Sequence, residues 1–266
     1  MVFGHQSQKE ILDRVWSNYQ QGGFLLSGPA GVGKFSLVKE MAAAKTTKDN
    51  LVVIESGQKF LTKETADFIR QLTQLTSASR RVIIVNDAHA FTKEAQSSLL
   101  KIIEAIPSNT FLFFVTDRPQ KILVTIRSRL IPIRFSLVDA AEMKNWLLTV
   151  SMTETEAKKL LQFFPGQPGL IARVINEKDK LKLVSQFFQE KLPLKKMLLA
   201  EQISQDLELA ECVQYLLIFE RLNLIKNWGD QTIIKKLKNL LQLYFDSDFY
   251  LNKALQIKNL CLNYYG

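Results

Sequence analysis

The sequence predicts an α/β fold, a parallel sheet wrapped by helices and followed by an all-helical region. Short apolar runs alternate with amphipathic stretches as far as about Phe135, and there the strand signals stop. A glycine-rich stretch, Gly28-Pro29-Ala30-Gly31-Val32-Gly33-Lys34-Phe35-Ser36, leaves one apolar run and enters a helical pattern. The run Val82-Ile83-Ile84-Val85 is apolar at every position, as a strand covered on both faces must be.

Each element has a local reason. Lys9 to Tyr19 places Ile11, Leu12, Val15, Trp16 and Tyr19 on one helical face. Phe24-Leu25-Leu26 is a short strand running into the glycine loop, and Ser36 to Ala44 reads as the helix beyond it. Leu51-Val52-Val53-Ile54 is a second strand. Thr62 caps a helix carrying Phe68, Ile69 and Leu72. Val82 to Val85 is the third strand. Thr92 caps the helix Lys93 to Ala105, and Pro107 stops it. Phe111 to Val115 is the fourth strand, and Leu130 to Phe135 is an edge strand, since it contains Pro132. Three short helices follow, at Asp139 to Leu148, Thr153 to Phe164 and Pro168 to Asn176. From about Lys180 the pattern is helical, over 181–190, 201–205, 207–227 and 231–244.

A length of 266 residues fits two or three domains. A hydrophobic content of 47% with 23% charged residues fits a globular protein. The formal charge of +9 comes from 35 Lys and Arg against 26 Asp and Glu, spread over both halves rather than gathered in a tail. It permits contact with nucleic acid without requiring it. Cys212 and Cys261 have no CxxC partner and read as buried thiols of a reducing compartment. With neither a signal-peptide layout at Met1 to Gln6 nor an apolar run of about 20 residues, the expectation is a cytoplasmic protein without membrane contact.

The glycine stretch matches a phosphate-binding loop in Gly28, Gly33 and Lys34. Such a loop works because backbone N–H groups and a helix N-terminus converge on phosphate, and the lysine adds a point charge. Phe35 stands where a hydroxyl should hold magnesium. Ser36 does not replace it, because one residue along a helix is a rotation of about 100°. The third strand should end in two acidic residues, one for magnesium and one for the attacking water. Here Asn86 and Asp87 follow Val85, so one charge is missing and the other sits on a shorter side chain. Both departures argue against hydrolysis. The loop either binds nucleotide or is kept for its turn geometry. His89 reads as a structural or capping residue.

The order Asn86-Asp87-Ala88-His89, Ala95 to Glu104, Asp117-Arg118-Pro119 and Thr125-Ile126-Arg127-Ser128-Arg129 resembles the clamp-loader branch of the AAA+ ATPases over about residues 5–175. The helix from Ala95 resembles the pattern A-x-N-A-L-L-K-x-x-E-E, and Ser128-Arg129-Leu130 resembles Ser-Arg-Cys with leucine for cysteine. The resemblance implies that Thr116 is the sensor-1 residue. It implies that Arg129, with Ser128, is an arginine finger acting on ATP held by a neighbouring subunit. Leu170 fills the position where a sensor-2 arginine is expected, and Arg173 lies one turn on. Zinc-bearing members carry four cysteines between the loop helix and the second strand; residues 44–50 contain none, so no metal site is expected.

The resemblance also implies an AAA+ P-loop domain at 1–136, a helical lid at 137–179 and a helical collar at 180–266 that joins subunits; Leu207, Val213, Leu216, Leu217 and Phe219 supply apolar surface there, most of it for the domain's own core. Expected partners are the gamma or tau and delta subunits of a clamp loader, with the sliding clamp and DNA reached through the complex. Gly28, Gly31, Gly33, Lys34 and Thr116 form a degenerate nucleotide site, with no cofactor required and weak ATP or ADP binding as its most. The alternatives are an active gamma- or tau-type ATPase, a free-standing P-loop ATPase, and an AAA+ interaction module without a replication role.

Overall fold

Five segments assemble into one sheet, with the three inner strands buried and the two edge strands partly exposed. The computed structural model describes residues 3–55, 61–74, 80–150 and 152–176, and positions 186, 195, 199, 217, 220, 230–235, 238 and 239. The chain divides into two compact units, Met1–Ile171 and Ala172–Gly266. The strands of the first unit are β1 (Gly22–Ser27), β2 (Leu51–Ile54), β3 (Arg81–Val85), β4 (Thr110–Thr116) and β5 (Ile131–Arg134). Their order is β2-β3-β4-β1-β5, and every pairing is parallel. All seven residues of β4 are buried. Strand β5 takes an edge, where Pro132 leaves no inner ladder short of a donor.

The helices are α1 (Gln6–Asn18), α2 (Lys34–Lys45), α3 (Lys63–Gln74), α4 (Lys93–Glu104), the single turn α5 (Val124–Arg127), α6 (Ala140–Thr149), α7 (Glu154–Phe163) and α8 (Pro168–Asn176). Alternation along each strand sorts the core into two layers. Phe24, Leu26, Val82, Ile84, Phe111, Phe113 and Val115 pack against Leu12, Val15 and Trp16 of α1 and Leu37, Val38 and Ala42 of α2. Leu25, Ile83, Val85, Leu112 and Phe114 pack against Ile69 of α3, Ala95, Leu99, Ile102 and Ile103 of α4, and Ile126 of α5. Phe24 stacks on Phe113 with ring centroids 5.1 Å apart, and Trp16 lies 4.9 Å from Phe111. Each fully buried phenylalanine contributes about 1.5–3 kcal/mol, so this aromatic group is a main anchor of the sheet.

Helix α2 starts two residues earlier than its apolar pattern suggests. Gly33 adopts φ 99° as its cap, so Lys34 and Phe35 belong to the first turn. The segment before Arg129, expected only as part of a motif, folds into α5. Of the expected C-terminal helices, residues 231–235 are helical, with Asp230 Oδ1 accepting from the Thr232 N–H at 2.8 Å. Most of the remainder, with Cys212, Cys261 and most of the apolar stripe assigned to the collar, lies outside the described residues. Among the described residues no helix is long and apolar enough to cross a membrane.

Helix α4 is fixed by two polar side chains. Thr92 Oγ1 accepts from the Ala95 N–H at 3.2 Å, a cap worth about 1 kcal/mol. Gln96 is 2% exposed. Its Nε2 donates to the carbonyls of Phe91 and Lys121, each at 3.1 Å, and its Oε1 accepts from the Leu123 N–H at 2.7 Å. One buried amide thus ties the start of α4 to the entry of α5. Gln96→Ala strands two buried carbonyls and one N–H, and each lost partner costs about 1–3 kcal/mol before relaxation. Urea unfolding is expected to show a loss of roughly 3 kcal/mol with an unchanged m-value.

Candidate functional site

The sheet's order places the glycine loop. Strand β1 lies between β4 and β5, with Ser27 beside Thr116 and beside Arg134. The loop after β1 therefore opens next to the residues that leave β4. Strand order reverses here, as in α/β proteins that bind ligands beyond the carboxyl ends of their strands.

Residues 28–33 turn the chain from β1 into α2. Gly28, Gly31 and Gly33 all have positive φ, at 152°, 73° and 99°. A Cβ on Gly28 would overlap the Phe135 carbonyl, and one on Gly31 would overlap the Leu170 side chain. Lys34 is 7% exposed. Its Nζ donates to the Gly28 and Pro29 carbonyls at 2.8 and 2.7 Å. Burial holds the Lys34 ammonium below its ordinary pKa, against the opposing pull of the Asp117 and Asp87 carboxylates. Phe35 packs on the α1/α2 core layer, with the Lys39 ammonium 5.1 Å from its ring centre. An aromatic ring thus replaces the hydroxyl that a nucleotide's magnesium needs.

The chain itself covers this loop. Gln167 Nε2 donates to the Ala30 carbonyl at 3.0 Å, and the Gly169 N–H donates to the Gly31 carbonyl at 2.7 Å. Leu170 lies against Gly31. On the other flank, His5 Nε2 is 2.7 Å from the Val32 carbonyl, and the ring meets Phe135 edge-on at 5.0 Å. Three successive loop carbonyls, those of Ala30, Gly31 and Val32, are thus bound by residues remote in sequence. His5 and Gln167 carried no motif that would have marked them.

At the end of β3, the Asn86 amide reaches Asp87 Oδ2 at 3.4 Å, and the Asn86 N–H donates to the Ile54 carbonyl at 2.8 Å. Asp87 has φ 51° and begins a turn over Ala88–Ala90. The turn carries His89 under β4. Its Nδ1 lies 3.1 Å from Thr116 Oγ1 and 3.4 Å from Asp117 Oδ1. Thr116 Oγ1 also accepts from the Arg118 N–H at 3.0 Å. The Nδ1 hydrogen bond goes to Thr116, and Asp117 Oδ1, though close, is left without a hydrogen-bond partner among the described residues. Thr116, 1% exposed, is thereby engaged with its own chain. Burial pushes the His89 pKa below 6.5, more than Asp117 and Asp87 raise it. Among the described residues no group of three or more His, Cys, Asp or Glu is placed to hold a metal ion.

Arg129 is not part of this cluster. It precedes Ile131, where β5 begins, whereas the loop follows the end of β1. In a parallel pair these are opposite ends of the sheet. Arg129 Nε donates to Glu104 Oε1 at 2.8 Å and Nη1 to the Thr125 carbonyl at 2.9 Å. Ser128 Oγ donates to the same carbonyl at 3.1 Å. The structure therefore brings Gly28, Gly31, Gly33, Lys34, Asn86 and Thr116 to one end of the sheet, with Ser128 and Arg129 at the other.

The His89 environment gives a pH test. The folded chain keeps His89 neutral to lower pH than the unfolded chain does. As pH falls below 6.5 the unfolded state takes up the proton first, and stability is lost until the depressed folded value is passed. Urea unfolding between about pH 7.5 and 5.5 is expected to show a steeper acid-side loss in the wild-type chain than in His89→Gln.

A family model described as DNA polymerase III, delta subunit matches residues 42–139. Replication factor C subunit 5 of Arabidopsis thaliana is 26% identical over 180 residues, covering 64% of this chain and 47% of that protein. The DNA polymerase III subunit delta' of Pseudomonas aeruginosa is 29% identical over 175 residues, 54% of this chain and 53% of the relative. A DNA polymerase III subunit gamma/tau of Mycobacterium tuberculosis is 38% identical over 74 residues, 28% of this chain and 13% of the relative. The chain spans about half the length of the first two of these relatives. Among solved structures, a DNA polymerase III gamma subunit-related protein of Thermotoga maritima superposes with a TM-score of 0.59 at 17% identity, covering 97% of this chain and 98% of that one. Thermotoga maritima RuvB superposes with a TM-score of 0.52 at 20% identity, covering 69% and 64%. The sequence similarities run to subunits of DNA polymerase III and of replication factor C, and the structural ones show a shared fold.

Proposed function

We propose that the chain is a non-hydrolysing clamp-loader subunit of the delta prime type. It assembles with gamma- or tau-type and delta subunits and donates Arg129 to the ATP site of a neighbouring gamma or tau subunit during loading of the sliding clamp onto DNA. The observation that carries this reading is the separation of the two halves of an ATPase site. The loop keeps its turn, yet Lys34 donates to the loop's own carbonyls. Arg129 stands on the surface at the far end of the sheet, where it reaches a phosphate only on another molecule. Phe35 and Asn86 add the loss of both magnesium-side groups. The proposed ring contacts come from an AAA+ domain at 1–136 with its lid at 137–179, and from a collar at 180–266.

The isolated chain is expected to show no ATP turnover above background. Turnover abolished by Lys34→Ala would instead establish an active ATPase of the gamma or tau type. In a complex reconstituted with the gamma or tau and delta subunits of the same organism, Arg129→Ala should lower DNA-stimulated ATP hydrolysis several-fold while assembly by size exclusion stays intact. A finger is worth about 10³–10⁵ in rate at its own site, and sites served by other fingers dilute the total loss. An unchanged rate would remove the finger role.

A further inference from the structure

Glu104 is the last residue of α4, and a carboxylate there faces the negative end of the helix dipole. An acidic residue in a disfavoured place needs a reason. The structure supplies one: Glu104 Oε1 accepts from Arg129 Nε at 2.8 Å. The side chains are 51% and 41% exposed. A single lone ion pair of this kind adds little to stability.

What the pair does is geometric. The Thr125 carbonyl takes Arg129 Nη1, so the guanidinium is held at two neighbouring nitrogens and Nη2 is left for a further acceptor. The rest of the segment is held as well. The Leu123 N–H is bound by Gln96, the Ser128 N–H by the Val124 carbonyl at 2.9 Å, and the Arg129 N–H by the Ile126 carbonyl at 3.0 Å. Gln96 and Glu104 lie eight residues apart on α4, about 12 Å along its axis. Helix α4 therefore grips the Leu123–Arg129 segment at both ends, at its first N–H through Gln96 and at its terminal guanidinium through Glu104.

We propose that Glu104 is a positioning residue for Arg129, fixing the guanidinium plane before a neighbouring subunit presents its phosphate. This rests on the finger role argued above. The pre-set plane spares Arg129 the loss of side-chain freedom that would otherwise fall on the reaction step. The hydrogen bond, rather than the negative charge, does the orienting, because a full opposing charge alone would only weaken the guanidinium's pull on phosphate.

The test uses the reconstituted complex with four versions of the full chain: Glu104→Ala, Glu104→Gln, Arg129→Ala and the double variant Glu104→Ala with Arg129→Ala. Glu104→Ala is expected to lower kcat for ATP by roughly threefold, with KM and assembly unchanged. Glu104→Gln, which keeps an acceptor for Nε, is expected to recover most of that rate. In the Arg129→Ala background Glu104→Ala should have no further effect. A Glu104→Ala complex as fast as wild type, or faster, overturns the proposal. So does a Glu104→Gln complex as slow as Glu104→Ala, or a Glu104 effect that persists without Arg129. If Arg129→Ala itself leaves the rate unchanged, the finger role fails first, and the positioning role falls with it.

Discussion

The parallel pairing of β1 with β4 sets where everything else lies. Strand β4 is buried along its whole length, and β1 is buried at Phe24, Leu25 and Leu26. Strands of this kind have no solvent face, so they must sit inside the sheet with helices above and below. The register that puts Ser27 beside Thr116 then brings three separate segments of chain to one end: the glycine loop, the turn after β3 and the exit from β4. A slip of one residue would send each of these apolar runs to the wrong layer. Because the two layers are filled by different helices, the packing enforces the register over the whole core.

That end of the sheet holds an ammonium group with little water around it. In a working phosphate loop the incoming anion compensates the lysine. Here the Gly28 and Pro29 carbonyls do so at 2.8 and 2.7 Å, with Asp117 and Asp87 contributing charge at longer range. A buried ammonium with neither partner would cost several kcal/mol, so the carbonyls are a condition of the closed loop. Residues from the N-terminal segment and from the start of α8 bind the next three carbonyls. A nucleotide entering this site would meet an ammonium with two of its three N–H donors already taken. Phe35 and Asn86 would then offer nothing to its magnesium. The loop's own packing and the two departures from the phosphate-loop pattern, Phe35 and Asn86, therefore fall among the same few residues.

Much of the sheet was legible in the sequence because its strands are short, wholly apolar and bounded by turns. The glycine loop was legible because its residue types serve its backbone. What remained unread was the tertiary polar bonding. Gln96 looks like an ordinary helix residue until its amide is seen to serve three backbone groups across two loops. His5 and Gln167 are separated from the loop by 27 and 137 residues, so no local pattern could tie them to it. The early start of α2 was missed because Lys34 and Phe35 break the apolar rhythm while adopting the helix, their side chains drawn to the loop and the core. The Arg129 motif was visible, but the carboxylate that holds it is 25 residues away.

Helix α4 shows why such a contact outlasts its small energy. A carboxylate at a helix C-terminus costs about 0.3–1 kcal/mol, and an exposed ion pair returns about 0.2–1 kcal/mol. The two nearly cancel, so stability gives no account of Glu104. Position does. Ala95, Leu99, Ile102 and Ile103 fix one face of α4 in the core, which makes the helix a rigid bar, and Gln96 pins Leu123 to it. The four-residue turn α5 is too short to hold its own shape, because helix nucleation is unfavourable. It takes its shape from the bar beside it. A guanidinium carried by so short a turn would wander unless something rigid took hold of its far end, and within the described structure Glu104 is the side chain placed to do that.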